Sequence, residues 1–489
     1  MSKSIFIFRR DLRIEDNIGL IHALKQSEVV IPIFIFNPKQ IKTNSYKSNN
    51  AIQFMIESLK SLDKSLRKKS SKLFYFYGHH EKVIEKLIKK EKIDSVYFNL
   101  DYTPFSVDRD LKIYNVCKKN DVECHIYEDY LLNPIGSVRS GNKSGNFGIS
   151  LEDSKDTYKV NQSKLKNRAD DNDGIYTKFT PYFNKAKRVK VLSVQKNNYK
   201  NYYKSKKALV GEYKKDIDKL YEFNKNLHVN GGREEAIKIL RGIGGFKSYN
   251  LDRNTLSIET THLSAYNKFG NVSIREVYWK FKNKLQTSND LIKQLYWRDF
   301  YYNIAFYYPR VFKTNLKEQY NGIKWKNNRT WFNKWKEGKT GFPIVDAGMR
   351  QMNQTGFMHN RARLITSNFL IKLLMIDWKW GEKYFAQTLV DYDPSVNNGN
   401  WAWGAGTGAD SQPYFRIFNP ILQSKKFDKD GKYIKEWIPE LKDIQSKHLH
   451  NWKKHCDQYP KVKYPKPIID YKKSRKDALN MYKKGIKYD

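Results

Sequence analysis

Residues 340–420 read TGFPIVDAGMRQMNQTGFMHNRARLITSNFLIKLLMIDWKWGEKYFAQTLVDYDPSVNNGNWAWGAGTGADSQPYFRIFNP. Apolar residues recur along this stretch at helical spacing, but paired Asn, paired Asp, single Arg and dispersed Trp residues stand among them. A plain helical bundle would carry Leu and Ala at those places. The stretch therefore predicts a helical domain that surrounds a large, polar, aromatic cofactor.

The sequence also indicates where individual helices begin and end. Pro343 stands where a first helical turn tolerates a missing N–H, and Gly356 follows the periodic run as a stop signal. Upstream, one stripe of a predicted helix carries residues at i, i+3, i+4 and i+7, namely Gln294, Trp297, Arg298 and Tyr301. Such a stripe can stack on bases and bind phosphate, or it can belong to an amphipathic helix with its aromatic residues in the core.

The first part of the chain is organised differently. Between Ser4 and about Tyr127, the runs SIFIF, VVIPIFIF, KLFYFYG, SVYFNL and ECHIY alternate with helical patterns. This alternation predicts a parallel sheet with helices on both faces. Beyond about Ala208 nearly every periodic segment is helical. We therefore predict an α/β domain at 1–130, a polar interdomain linker lying over the surface at 131–207, and an all-α domain at 208–489.

Composition limits the class of protein. The chain has 91 Lys and Arg against 51 Asp and Glu, a net charge of +40, which would attract polyanions, although plain solvated surface is the alternative explanation. Its three cysteines match no metal spacing, and their odd number argues against a disulfide framework. No run of about 18 apolar residues and no export signal is recognisable. We expect a soluble intracellular protein with no metal site and no membrane association.

Several motifs, taken in order, carry a resemblance that covers nearly the whole chain. They are FRRDLRIEDN at Phe8–Asn17, YTKFTPYFNKAKR at Tyr176–Arg188, TTHLS at Thr260–Ser264, the WRDF helix, the stretch at 340–420 and the closing YPKPIIDYKKSRKDALNMYKK. The chain resembles the photolyase and cryptochrome family, and most closely the class I cyclobutane pyrimidine dimer photolyases. The resemblance implies an α/β antenna domain followed by a helical domain that binds FAD in a U-shaped conformation.

The resemblance also assigns the FAD contacts. TTHLS would hold the pyrophosphate, since hydroxyls and free N–H groups at a helix start suit a phosphate, although such a segment alone is usually only a cap. Arg363 and Asp391 resemble an ion pair beside the isoalloxazine ring. The implied cofactor-binding set is Tyr249, Thr260, Thr261, His262, Leu263, Ser264, Arg363, Asp391, Tyr392, Asp393 and Asn397.

Asn397 matches the residue that faces the central-ring nitrogen of the flavin, where protein groups tune the cofactor. An Asn is a poor proton donor, and plant-type cryptochromes usually carry Asp there, so Asn397 favours repair over signalling. Trp401, Trp378 and Trp325 match the family's three-tryptophan relay, although any one of them alone would be core filler. The implied catalytic set is Trp401, Trp378, Trp325, Asn397, Gln294 and Asn360.

The same resemblance implies which residues bind DNA and the lesion. Trp297 and Trp403 match the indoles that flank a flipped dimer. Asn360 and Leu364 stand where (6-4) photolyases have two His residues, which argues against (6-4) repair. Gln294 stands where cyclobutane photolyases usually have Glu, and a Gln at this position is more typical of (6-4) photolyases. The implied DNA-binding and lesion-binding set is Gln294, Trp297, Arg298, Tyr301, Asn360, Arg361 and Trp403.

The resemblance therefore implies a deoxyribodipyrimidine photo-lyase, a carbon–carbon lyase that would act as a monomer on UV-damaged DNA. The alternatives are a (6-4) photolyase, a cryptochrome photoreceptor without repair activity, and a basic nucleic-acid-binding protein without flavin. The resemblance leaves open whether a second, antenna chromophore is bound as well. Ser106 stands where folate-binding members usually have Glu, so a folate, a deazaflavin, a flavin and an empty pocket all stay open.

Overall fold

A computed structural model of the chain describes residues 2–141, 149–151, 158–160, 168–204 and 207–486. The chain forms two compact units. The first comprises Met1–Phe223, Val229–Gly245 and His262–Pro309, and the second comprises Asn224–His228, Phe246–Thr261 and Arg310–Asp489. Residues 262–309, expected in the helical domain, thus group with the first unit, while the boundaries at 130 and 207 stay predictions.

The first unit contains the predicted parallel sheet. Its strands pair in the order β3-β2-β1-β4-β5, followed by two short antiparallel strands, β7 and β6. The bounds are β1 Lys3–Phe8, β2 Val29–Phe36, β3 Phe74–Tyr77, β4 Ser95–Asn99, β5 Glu123–Tyr127, β6 Ile149–Leu151 and β7 Tyr158–Val160. The first five match the predicted runs and confirm the α/β class. Their buried, β-branched and aromatic residues suit a sheet covered on both faces.

The helices of the first unit follow the predicted patterns and begin at local caps. Ser48, for example, accepts a hydrogen bond from the backbone N–H of Ala51, and Ser273 forms a capping box with Glu276. The helices are Ile18–Gln26, Pro38–Ile41, Asn49–Arg67, His80–Glu91, Pro104–Lys119, Phe179–Ala186, Arg233–Arg241, Ser264–Phe269, Ile274–Lys284 and Asp290–Tyr307.

The segment 131–207 is not the surface linker that was predicted. It contributes β6, β7 and the helix Phe179–Ala186, and it buries Phe179, Tyr182 and Tyr202. The polar composition of the segment indicated a linker. However, these apolar side chains, which lie between the polar runs, are buried within the first unit. The polar runs at 142–148 and 161–167 lie outside the described residues.

The second unit is helical, as predicted. Pro343 is the first residue of its helix, and Gly356 ends that helix in the left-handed region at φ 67°. The helices are Tyr249–Asp252, Arg329–Lys336, Pro343–Thr355, Asn360–Asn368, Trp378–Thr388, Pro394–Ala405, Pro420–Phe427, Lys432–Trp437, Ser446–His450, Trp452–His455 and Tyr471–Gly485, with a π-helical turn at Phe369–Leu373. Among the described residues, no helix is both long and apolar enough to span a membrane.

Candidate cofactor and DNA-binding site

A charged pair lies in the second unit at the place expected for the flavin ring. Arg363, in the helix Asn360–Asn368, donates from Nη2 to both carboxylate oxygens of Asp391 at 3.1 and 2.9 Å. Its Nε donates to the carbonyl oxygen of Met358 at 2.8 Å, which fixes the guanidinium plane. The Asp391 side chain is 4% exposed and that of Arg363 is 26% exposed. The pair is thus a rigid, charge-assisted brace with one open side.

Asn397 lies nearby in sequence, in the first turns of the helix Pro394–Ala405. Its amide nitrogen donates to the carbonyl oxygen and to the Oε1 of Glu382, both at 3.1 Å. Asp393 begins the same helix, where its Oδ1 accepts from the backbone N–H groups of Ser395 and Val396. Asp393, expected to bind the cofactor, therefore acts at least as the helix cap.

The residues expected at the pyrophosphate are divided between the units. Tyr249, Thr260 and Thr261 are half-buried in the second unit, with Tyr249 beginning a short helix. In the first unit, Leu263 is buried at the position before the helix Ser264–Phe269, and the backbone of His262 takes a positive φ of 52°. These assignments stay predictions.

The second unit offers polar atoms that fit a bound flavin. The Oγ of Ser395 is buried and has no hydrogen-bond partner among the described residues. The Oδ1 of Asn397 accepts no hydrogen bond within the described part of the chain either, because both bonds of this amide come from its nitrogen. Together with the open side of Arg363, this set of hydrogen-bond donors and acceptors suits the polar edge of an isoalloxazine ring. Arg363, Asp391 and Asn397 would therefore hold FAD here.

The three relay candidates differ in burial. Trp401 and Trp378 are 3% and 2% exposed, whereas Trp325 is half-buried. Trp401 lies one helical turn after Asn397 and meets Phe385 edge-to-face at 4.9 Å. Trp378 donates from Nε1 to the Oδ1 of Asn315 at 3.2 Å. Trp401 and Trp378 are thus both buried, and only Trp325, the expected outermost member of the relay, is partly exposed.

On the first unit, the predicted stripe of the helix Asp290–Tyr307 is only partly available to a ligand. Gln294 is exposed, and the half-buried Trp297 stacks on Phe179 with 3.5 Å between ring centroids. Arg298, by contrast, donates to the carbonyl oxygen of Tyr130 and lies over that ring. Tyr301 is 4% exposed. Packing within the unit therefore engages both Arg298 and Tyr301, and their contact with DNA stays a prediction.

On the second unit, Asn360 is exposed at the start of its helix, and Trp403 is half-buried in the helix Pro394–Ala405, which packs against it. Arg361 donates to the Oδ1 of Asn254 and lies 4.3 Å from the ring centroid of Phe427. Burial, and then the charges of Arg253 and Arg416, lower the pKa of Arg361. A bound phosphate would relieve this repulsion, so the arginine cluster is suited to an anion.

A second polar pocket lies in the first unit, at the carboxyl ends of β1 and β4, where the strand order reverses. Burial would raise the pKa of Asp101, but the charges of Arg10, Arg109 and Arg9 outweigh it and hold that pKa below its usual range. The Oγ of Ser106 donates to Asp101 at 2.8 Å. The pocket is lined by Arg9, Arg10, Asp11, Asn99, Leu100, Asp101, Asp129 and Tyr130.

Comparison with known proteins agrees with this geometry. Residues 4–149 match the family profile described as DNA photolyase, and residues 291–484 match the FAD binding domain of DNA photolyase. A deoxyribodipyrimidine photo-lyase of Buchnera aphidicola is 35% identical over 99% of this chain and 98% of its own length. The chain belongs to the DNA photolyase family.

Solved photolyases have the same fold. An archaeal photolyase from Sulfolobus tokodaii, crystallised with two FAD molecules, is 38% identical with a TM-score of 0.83, covering 99% of this chain and 100% of its own. A class III photolyase from Agrobacterium tumefaciens is 30% identical with a TM-score of 0.85, covering 99% and 98%. Membership of the photolyase family accounts for the resemblance along the whole chain.

Three residues that contact expected site residues, or the helices that carry them, were given no role by the sequence. Phe179 lies in the YTKFTPYFNKAKR motif, whose aromatic spacing was the available signal. Nothing in the sequence indicated a role for Glu382, because a single Glu in a helix is ordinarily exposed to solvent. Lys372, 1% exposed in the π-helical turn, donates to the carbonyl oxygens of Ala405 and Tyr414 at 3.1 and 3.3 Å. It thereby anchors the end of the helix that carries Asn397 and Trp401.

Proposed function

We propose that this protein is a light-dependent DNA photolyase that splits cyclobutane pyrimidine dimers. The observation that carries the proposal is the Arg363–Asp391 brace beside a fixed Asn397, in a chain related over nearly its whole length to deoxyribodipyrimidine photo-lyases. When bound, reduced FAD would supply a light-driven electron to the dimer, whose two carbon–carbon bonds then split, and the electron would return to the flavin, so that the reaction has no net redox change. The chain supplies binding, orientation and electrostatics.

Around the flavin, each side chain has a distinct role in this proposal. Arg363 and Asp391 would hold the isoalloxazine ring, and Asn397 would bind at its central-ring nitrogen. Hydroxyl and backbone N–H groups of the predicted pyrophosphate set would hold the phosphates, namely those of Tyr249, Thr260, Thr261, His262, Leu263 and Ser264. Trp401, Trp378 and Trp325 would pass electrons from the surface to an oxidised cofactor.

On the DNA side, we assign phosphate binding to Arg361 together with Arg253 and Arg416. Their mutual repulsion favours an anion, and counterion release from DNA adds to the affinity. Asn360, exposed at a helix start, donates a hydrogen bond to the lesion. Trp297 and Trp403 present indole faces to a base that has left the duplex stack. We further propose that the protein is a class I photolyase and acts as a monomer.

The second chromophore is proposed to be a flavin, bound in the pocket of the first unit. The related Sulfolobus photolyase was crystallised with two FAD molecules. The pocket offers arginine side chains and Tyr130 to a phosphorylated aromatic ligand. Ser106 is already bonded to Asp101 and supplies no carboxylate for a folate. Release of bound chromophores by denaturation, followed by chromatography, identifies the second one.

A (6-4) photolyase is the second candidate, because Gln294 is exposed where a Glu is usual in cyclobutane photolyases. The deciding experiment illuminates the purified protein with DNA that carries one cyclobutane dimer or one (6-4) product. We expect restored pyrimidines from the cyclobutane dimer only, and only in light. Repair of the (6-4) product alone would support the second candidate, and repair of neither would favour a photoreceptor.

A further inference from the structure

The indole of Trp297 has one face covered by a buried ring. Trp297 lies in the helix Asp290–Tyr307 and stacks on Phe179, with 3.5 Å between the ring centroids and 6° between the ring planes. Phe179 is 2% exposed, whereas Trp297 is half-buried. Because the two planes are nearly parallel and in contact, Phe179 covers the inner face of the indole. The exposed part of Trp297 is therefore its outer face and edge.

Two neighbouring rings lie beside this stack. Phe300 is 5.7 Å from both Trp297 and Phe179, with its plane at 86° and 81° to theirs. A ring equally far from both members of a stack lies at its side and not over an outer face. Tyr301 is 5.7 Å from Trp297 with 29° between the planes, a separation at which the ring is offset. Among the described residues, only Phe179 meets the indole face to face.

Buried hydrogen bonds fix the two helices that carry the stacked rings. The backbone N–H of Asn133 donates to Oδ2 of Asp299, in the helix of Trp297, at 3.1 Å. The Nδ2 of Asn133 donates to the carbonyl oxygen of Ala186, at the end of the helix Phe179–Ala186, also at 3.1 Å. Asn133 is 1% exposed. One buried residue thus holds both helices, so the stack is in place before any ligand binds.

An indole held in this way favours a base that has left the duplex. Ordering a free side chain when a ligand binds lowers affinity, and the contact with Phe179 orders Trp297 during folding instead. Stacking on the indole then adds affinity for an extrahelical pyrimidine. An undamaged duplex keeps its bases stacked and is bound through its phosphates, so it gains nothing from the indole. The contact should therefore affect lesion preference more than total DNA affinity.

We propose that Phe179 is a positioning residue for lesion recognition, which holds Trp297 so that the outer face of its indole receives the flipped pyrimidine dimer. The proposal rests on the proposed photolyase function, and specifically on Trp297 contacting the lesion. Phe179 is buried behind the indole and acts through Trp297. This role also gives a function to segment 131–207, whose polar composition had indicated a linker.

The test compares two Phe→Leu changes in one helix of the FAD-loaded protein. Phe179→Leu removes the flat surface behind the indole. Phe183→Leu is the matched control, because Phe183 lies one turn further along the helix, 5.7 Å from Phe179, and its loss leaves the indole covered. Dissociation constants for dimer-containing and undamaged DNA are measured in the dark, and their ratio gives the lesion preference. We expect F179L to lower this preference about tenfold and F183L to leave it near the wild-type value.

A second background shows whether Trp297 transmits the effect. With Trp297→Ala present, F179L should cause no further loss of lesion preference, as in a double-mutant cycle. An unchanged preference in F179L, an equal loss in F183L, or a further tenfold loss in the Trp297→Ala background would overturn the proposal. If F179L does not fold, Phe179→Met replaces it with Phe183→Met as its control, since a flexible Met fills the space without a flat face.

The same preparations separate this inference from the proposed function. Wild-type protein that repairs no cyclobutane dimer in light would refute the photolyase proposal and this inference with it. Wild-type protein that repairs the dimer, together with an unchanged lesion preference in Trp297→Ala or in F179L, would refute only the role of the Phe179–Trp297 stack.

Discussion

Gly381→Ala should displace the indole of Trp401 without altering it chemically. Gly381 lies in the interior of the helix Trp378–Thr388, one residue before Glu382. A Cβ atom added there would lie 2.2 Å from the Cη2 of Trp401 and 2.5 Å from both its Cζ3 and the Cδ2 of Leu370. Contacts this short cannot persist, so the ring must move.

The free energy of unfolding should fall, because two effects of opposite sign do not cancel. Ala in place of Gly inside a helix stabilises it by about 0.5–1 kcal/mol. Overpacking a filled core costs about 1–3 kcal/mol. Trp401 is enclosed by Phe385 and Trp335, with ring centroids at 4.9 and 6.3 Å, so the upper part of the overpacking range applies. The net loss should be about 1–2 kcal/mol.

The assay pairs denaturant unfolding with the rate of light-driven reduction of bound FAD, followed through the absorbance of oxidised flavin. Gly404→Ala is the matched control, since its added Cβ would meet Ile371 and Ser367 at ordinary distances of 3.8 and 3.9 Å. We expect Gly381→Ala to lower both stability and photoreduction rate, and Gly404→Ala to lower neither. A Gly381→Ala protein as stable as wild type, with an unchanged photoreduction rate, would refute the packing argument.

Three further outcomes are expected. Trp401→Phe should slow photoreduction of oxidised FAD but leave repair by chemically reduced enzyme intact, and an unchanged photoreduction rate would exclude Trp401 as the proximal donor. Asn360→Ala should weaken binding of the cyclobutane dimer about two- to tenfold, the worth of one hydrogen bond, while Gln294→Glu preserves repair, both measured with defined lesions. Burial raises the pKa of Glu128 from its ordinary 4.5 to about 8, so its neutral form stabilises the fold at low pH and that stability is lost as pH rises toward 8. Glu128→Gln should therefore flatten the fall in unfolding midpoint between about pH 5 and 8, and a wild-type slope in this variant would contradict the assignment.

Much of the fold follows from local sequence signals. The five parallel strands were predicted because their β-branched and aromatic runs are short and separated by helical periodicity. Pro343 and Gly356 marked helix ends because their backbone preferences are intrinsic to the residues. The same signals did not predict the structure of segment 131–207. Its composition is mostly polar, which is typical of a linker, and the few apolar side chains that become buried are too widely spaced to form a recognisable pattern.

For the site, sequence alone determined which residue types stand at which spacing, and the resemblance to a family gave them their predicted roles. Tertiary structure alone decided which of those side chains remain available to a ligand. In the folded protein, Arg298 and Tyr301 pack against neighbouring residues, whereas Asn360 is exposed. The tertiary structure also placed Glu382 against Asn397, 15 positions away. Such contacts join different helices, and their geometry depends on how whole helices pack. A local sequence pattern therefore does not predict them.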